Sequence, residues 1–110
     1  MVKYKKIYLK ALGYDVGDTT QKIPSELGTA QACDIHHIFN RGMGGTTENL
    51  DRIENLMALS RQEHDHYGDK KRFMWTLLSV HRQFLKMNNV PFDNDWFEER
   101  MARYAYETTG

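Results

Sequence analysis

The sequence predicts an α+β domain, mostly helical, on three observations. A four-residue capping box, Ser60-Arg61-Gln62-Glu63, announces a helix that Gly68 can stop. Two later segments carry apolar residues three and four apart, the period of an amphipathic helix. An apolar run ahead of a glycine-rich stretch, CDIHHIFNRGMGG at residues 33–45, suggests a short strand entering a loop.

Taken along the chain, KYKKIYLKAL at residues 3–12 places Tyr4, Tyr8 and Leu12 four apart, with lysines on the other face, and Gly13 is a plausible stop. Turn residues fill 14–31. Residues 32–39 are expected as a strand and 41–48 as a loop. Residues 50–59 offer Leu50, Ile53, Leu56, Met57 and Leu59, and periodicity alone allows helix or strand there. The capped helix runs from Arg61 to Tyr67. Asp69 can cap the next one, whose apolar face is Met74, Leu77, Leu78, His81, Phe84 and Leu85. Asn88, Asn89 and Pro91 end it. Residues 93–95 open a last helix with Phe97, Met101 and Tyr104 turned inward. The order is helix, β-hairpin or loop pair, short helix, two longer helices, in one domain over residues 1–110.

Composition limits the function. With 15 basic and 15 acidic residues the formal charge is zero, which excludes a protein that coats nucleic acid through bulk charge but leaves room for a local basic patch. A single cysteine, Cys33, permits neither an internal disulfide nor a CxxC zinc pair. No leader pattern or long apolar run is present, so a soluble, cytoplasmic protein with no membrane partner is the expectation.

Histidines stand at 36, 37, 64, 66 and 81. His81 reads as a partly buried core residue of an apolar helix face. His66 reads as a solvated helix residue, because two positions along a helix point about 200° apart and it cannot face where His64 faces. His36 and His37 are different. They precede a glycine-rich loop, Asn55 follows, and His64 sits in the first turn of the capped helix. This run, HHIFNRGMGG followed by IENLMALSRQEHDHYGDKK, resembles the HNH endonuclease family, and in particular small phage and mobile-element members. The resemblance covers roughly residues 24–71, with residues 70–108 as a helical extension, and it implies a ββα-metal (His-Me finger) core flanked by N-terminal and C-terminal helices.

The resemblance implies that His36 and His64 are metal ligands, that His37 is the general base, and that Asn55 orients His37 or braces the hairpin. The chemistry is consistent with those residue types. Phosphodiester hydrolysis needs an activated water, which an imidazole of ordinary pKa ~6.5 can provide, and positive charge on the phosphate, which a metal can provide. Successive strand residues point to opposite faces, so His36 and His37 share a site only where the strand ends or twists; the residues alone leave their two roles interchangeable. Family members that carry a third ligand four residues beyond the second would place it at Gly68. Two protein ligands and an open shell suit Mg²⁺ or Mn²⁺ in turnover, while Zn²⁺ or Ni²⁺ can bind imidazoles more tightly. Asp34 lies within reach of a second-shell role, but reads more simply as a strand-edge residue bonded to its own backbone.

Many members of the family also hold a structural zinc through two CxxC pairs. The corresponding positions here are Ser25, Gly28, Ser60 and Glu63, so that stabilisation has to come from other contacts. For the substrate, Arg41 beside the glycines is a candidate phosphate clamp, and Lys70, Lys71 and Arg72 are a second candidate contact with DNA. No base-reading helix is recognisable, so sequence specificity is not expected. The expectation is therefore a metal-dependent DNA endonuclease. The alternative is a non-catalytic protein of the same fold that binds DNA or a phage packaging partner.

Overall fold

The computed structural model describes residues 2–18, 20–40 and 49–109. It is α+β, about half helical, around one two-stranded antiparallel sheet. Helix α1 spans Lys3–Ala11; β1 spans Asp34–His37; a 3-10 turn at Ile53–Asn55 leads into β2, Leu56–Leu59; α2 spans Arg61–Tyr67; a second 3-10 turn, Lys71–Phe73, leads into α3, Met74–Met87; α4 spans Asn94–Thr109. The loop expected at 41–48, including Arg41, lies outside the described residues.

Helix α1 ends as its glycine requires. Gly13 takes φ +80°, and the Tyr14 amide donates to the Leu9 carbonyl at 2.8 Å. The strands pair with Asp34 opposite Leu59, Ile35 opposite Ala58, His36 opposite Met57 and His37 opposite Leu56. A lone hairpin of this length is marginal in water, so both of its faces are covered. Leu56, Ala58 and Ile35 pack with Tyr8 of α1, while Met57 and Leu59 join Leu77, Leu78, Leu85 and Phe97 of α3 and α4. All four residues of β2 are buried. Its alternation between faces is real but invisible in hydropathy, which is why residues 50–59 read ambiguously.

Strand β1 is half the length expected for residues 32–39. The Ile38 amide donates to the Asn55 carbonyl at 2.9 Å and the Phe39 amide to the Asn55 side-chain oxygen at 2.8 Å. The first bond keeps the register of the two strands, and the second ties the chain just past the strand end to the Asn55 side chain.

The capping box forms: Ser60 Oγ accepts from the Glu63 amide at 3.2 Å, and Glu63 returns to the Ser60 amide at 2.8 Å. Asp69 does not cap the next helix. It adopts the left-handed conformation, φ +60°, and no side chain caps α3, which starts through its 3-10 turn. Asp93 caps α4, accepting from the Trp96 amide at 3.2 Å. Among the described residues, no helix is long and apolar enough to cross a membrane.

His81 goes further than expected for a core histidine. Its side chain is fully buried, with Nδ1 at 2.6 Å from Glu26 Oε1 and Nε2 at 2.7 Å from the Ile53 carbonyl. The Tyr8 hydroxyl and the Ala58 amide donate to Glu26 Oε2 at 2.8 and 3.1 Å. Burial opposes a charge on His81, but the facing Glu26 carboxylate outweighs it and holds the imidazole pKa above its ordinary value. With acceptors at both ring nitrogens, His81 is the imidazolium of a buried ion pair. Burial, then the Glu26 charge, pushes the Tyr8 phenol well up. This knot ties α1, β2 and α3 to the turn that carries Asn55.

Candidate functional site

His36 and His37 project from opposite faces of β1, as strand geometry dictates, yet both border one open cleft because the strand stops there. Tyr4, Asp34, Ile35, Asn40, His64 and Asp69 complete its wall. His36 turns toward α2. Its ring stands edge-on to that of His64, with centroids 4.7 Å apart. His37 turns toward α1 and packs against Tyr4, ring centroids 4.5 Å apart.

His36 is only 6% exposed, and its Nε2 is buried with no hydrogen-bond partner. An orphaned buried nitrogen is unfavourable by roughly 1–3 kcal/mol, so a group that would satisfy it is the first thing to look for. Burial, then the neighbouring His64, lowers the His36 pKa to about 4. The imidazole is therefore neutral at pH 7 with a lone pair available, the state a metal requires. His64 is more open, its side chain 42% exposed. These two side chains fit a divalent cation as two nitrogen donors on one side, leaving the solvent side for water and phosphate oxygen. Among the described residues, no group of three His, Cys, Asp or Glu side chains is placed to hold a metal ion.

The position where a third helical ligand would stand is Gly68, and the backbone forbids one. A Cβ on Gly68 would meet the His64 carbonyl oxygen at 2.5 Å, His64 Cδ2 at 3.1 Å and His36 Cε1 at 3.3 Å. The bare glycine lets the end of α2 close directly under the two imidazoles.

His37 has a partner that sequence reasoning missed. Asp51 Oδ1 lies 2.8 Å from His37 Nε2. A carboxylate accepts, so Nε2 carries the proton and Nδ1 is left with the free lone pair. Asp51 is 14 residues away in a segment whose own conformation was ambiguous, and no local pattern marks it. Tyr4 was visible only as a helix-face residue. Asn55, of the two roles open to it, makes the hydrogen bonds of a brace. It is fully buried, its Oδ1 accepts from the Phe39 amide, and its Nδ2 donates to the carbonyls of Phe39 at 3.1 Å and Leu50 at 3.0 Å. It thereby holds both ends of the segment between His37 and β2.

Asp34 is the strand-edge residue expected, its Oδ1 accepting from the Ile35 amide at 2.8 Å and standing 3.4 Å from Lys5 Nζ. His66 is exposed, with its ring against Tyr67 and Phe73. Of the basic cluster, Lys70 is engaged: its Nζ donates to the carbonyls of Asp65 at 2.7 Å and His66 at 2.6 Å, capping the C-terminus of α2. Lys71 and Arg72 are exposed, and the Arg72 guanidinium lies over the Phe73 ring at 4.7 Å.

Ser25, Gly28, Ser60 and Glu63 gather at the N-terminus of α2. Ser25 Oγ donates to Glu63 Oε1, which also receives the Ser60 amide, and a Cβ on Gly28 would lie 3.5 Å from Glu63 Oε2. Burial opposes ionisation of Glu63, but the Ser25 and Ser60 donors prevail and keep its pKa below the ordinary carboxylate value. No family model, no curated protein and no solved structure matches the chain.

Proposed function

We propose that this chain is a metal-dependent endonuclease of the HNH type, hydrolysing phosphodiester bonds of DNA. One observation carries the reading: His36, whose buried Nε2 has no partner, packs its ring against that of His64, one residue from a histidine oriented by a carboxylate. The gathering of Ser25, Gly28, Ser60 and Glu63 supports it independently. The family resemblance assigns those four scattered positions to one zinc site, and a false alignment would have no reason to bring them together.

In this reading His36 and His64 hold Mg²⁺ or Mn²⁺ in turnover. A divalent cation there supplies positive charge for the phosphate oxygens and the departing 3′ oxygen. His37 accepts the proton of the attacking water at Nδ1, the nitrogen that Asp51 leaves free. Asp51 keeps that tautomer and stabilises the imidazolium that forms, while Tyr4 limits the ring's rotation. Asn55 keeps the hairpin bent so that His37 stays at the strand end. Lys71 and Arg72, with Arg41, are the proposed contacts to flanking phosphates.

The test is nicking of supercoiled plasmid with Mg²⁺, Mn²⁺, Ni²⁺ or Zn²⁺ against EDTA. We expect metal-dependent nicking that falls at least ~100-fold in His37→Ala, the usual contribution of a general base. Nicking at an equal rate by His37→Ala would reject the assignment of the base. No nicking with any metal, by protein that still binds DNA, would favour the non-catalytic accessory protein.

A further inference from the structure

Two imidazoles bring no negative charge to a cation, and an ordinary divalent site in water has some. The cleft contains a carboxylate that the reading above leaves without a role. Asp69 is a non-glycine residue in the left-handed region, φ +60°, directly after the glycine that closes under His36 and His64. Asn40, from the other side of the cleft, donates its Nδ2 to Asp69 Oδ1 at 2.8 Å. That bond holds one carboxylate oxygen and leaves Oδ2 with no bond to Asn40. The other carboxylates nearby are committed elsewhere: Asp34 to Lys5 and the Ile35 amide, Asp51 to His37. Asp69 lines the cleft together with His36 and His64.

From this geometry we infer that Asp69 is the anionic side of the cation site, a carboxylate aimed by Asn40 that attracts the divalent ion and accepts hydrogen bonds from its water shell. The inference rests on the metal-site reading of His36 and His64, and deepens it. It makes the left-handed turn at Asp69 part of the site, since that turn carries a carboxylate that lines the cleft. It also explains how a site of only two imidazoles attracts a hydrated divalent cation, because the carboxylate adds negative charge within reach of the water shell that Mn²⁺ and Mg²⁺ keep.

Asp69→Asn is the informative variant. Asparagine tolerates left-handed backbone, retains an oxygen for Asn40, and removes only the charge. Mn²⁺ binding would be measured by calorimetry at pH 7 without DNA, for wild type, Asp69→Asn, Asp34→Asn and His36→Leu, with thermal unfolding in EDTA as a check on the fold. We expect Asp69→Asn to weaken Mn²⁺ binding ~10-fold with unfolding unchanged, as loss of an outer partner does. Asp34→Asn should change it less than ~2-fold, because Lys5 already neutralises that carboxylate. His36→Leu should abolish binding. Equal affinity in Asp69→Asn and wild type would overturn the role of Asp69 while leaving the two-histidine site standing. Equal weakening by Asp34→Asn would overturn it too, in favour of a diffuse effect of charge. Wild-type affinity retained in His36→Leu, or no Mn²⁺ binding by wild type, would overturn the site and the inference together.

Discussion

His36 and His81 are buried to nearly the same degree, and their surroundings could hardly differ more. His81 has an acceptor at each ring nitrogen and is paired with Glu26. His36 has one nitrogen with nothing to bond, and its strongest neighbours are the burial itself and another imidazole. The same side chain is therefore pushed in opposite directions, one held charged and one held neutral. Burial alone does not distinguish the two histidines. The satisfaction of their ring nitrogens does.

The largest effect expected from breaking this contrast is at the knot. His81→Ala leaves the Glu26 carboxylate buried without its counter-charge, and should destabilise the protein by about 3–5 kcal/mol in urea unfolding. A loss under 1 kcal/mol would mean that Glu26 is not ionised there.

The next effect is pH dependence, in which the two histidines carry opposite signs. His36 has a folded pKa of about 4 against an ordinary 6.5. The unfolded chain takes up the proton first, so its contribution is full above pH 6.5 and is lost as pH falls toward 4, by at most about 3 kcal/mol. His81 has a raised folded pKa, so its contribution is fully present below the ordinary histidine value and is lost as pH rises through the raised one. Denaturant titrations in EDTA should show wild type losing stability between pH 6.5 and 4, and His36→Leu losing less. Identical slopes would show that His36 is solvated in the folded protein.

A smaller effect sharpens the contrast from the other side. His36→Leu removes an unpaired nitrogen, and in EDTA at pH 7 should leave stability unchanged or raise it by about 1 kcal/mol. The same variant should lose any stabilisation that Mn²⁺ gives wild type, measured as a shift in Tm. Smallest of all, Ser25→Ala should cost about 1 kcal/mol, the ordinary net value of a hydrogen bond, because it loosens Glu63 without exposing a charge in the core.

How much of this could be read beforehand depended on sequence distance. The α2 capping box was legible because all of its partners lie within four residues, and the faces of α3 and α4 because their period is local. The pairing of His36 with His64 followed from the resemblance and not from any physical pattern, since 28 positions and a strand reversal separate them. Asp51 and Glu26 were not legible at all: each is tied to its histidine across the chain, the latter over 55 residues. Asp69 was misread for a different reason. An aspartate ahead of an apolar helix is the ordinary sign of a cap, and here the 3-10 turn at Lys71–Phe73 separates it from α3. Strand β1 is shorter than its apolar pattern suggests, and nothing in residues 32–39 announces that the Asn55 side chain will hold the Phe39 amide just past the strand end.

The glycine at the end of α2 has a consequence for the histories open to this site. Any side chain at position 68 would collide with backbone at 2.5 Å before it reached the cleft. A single base change can offer a new residue there, but the turn has no room to receive it. The number of donors that α2 can contribute is thus set by the path of the main chain, beyond the reach of one substitution. A lineage wanting a third helical ligand would first have to loosen the turn, and would pass through forms in which the two imidazoles no longer stand together. Variation should therefore accumulate around the rim of the cleft, while its floor stays bare.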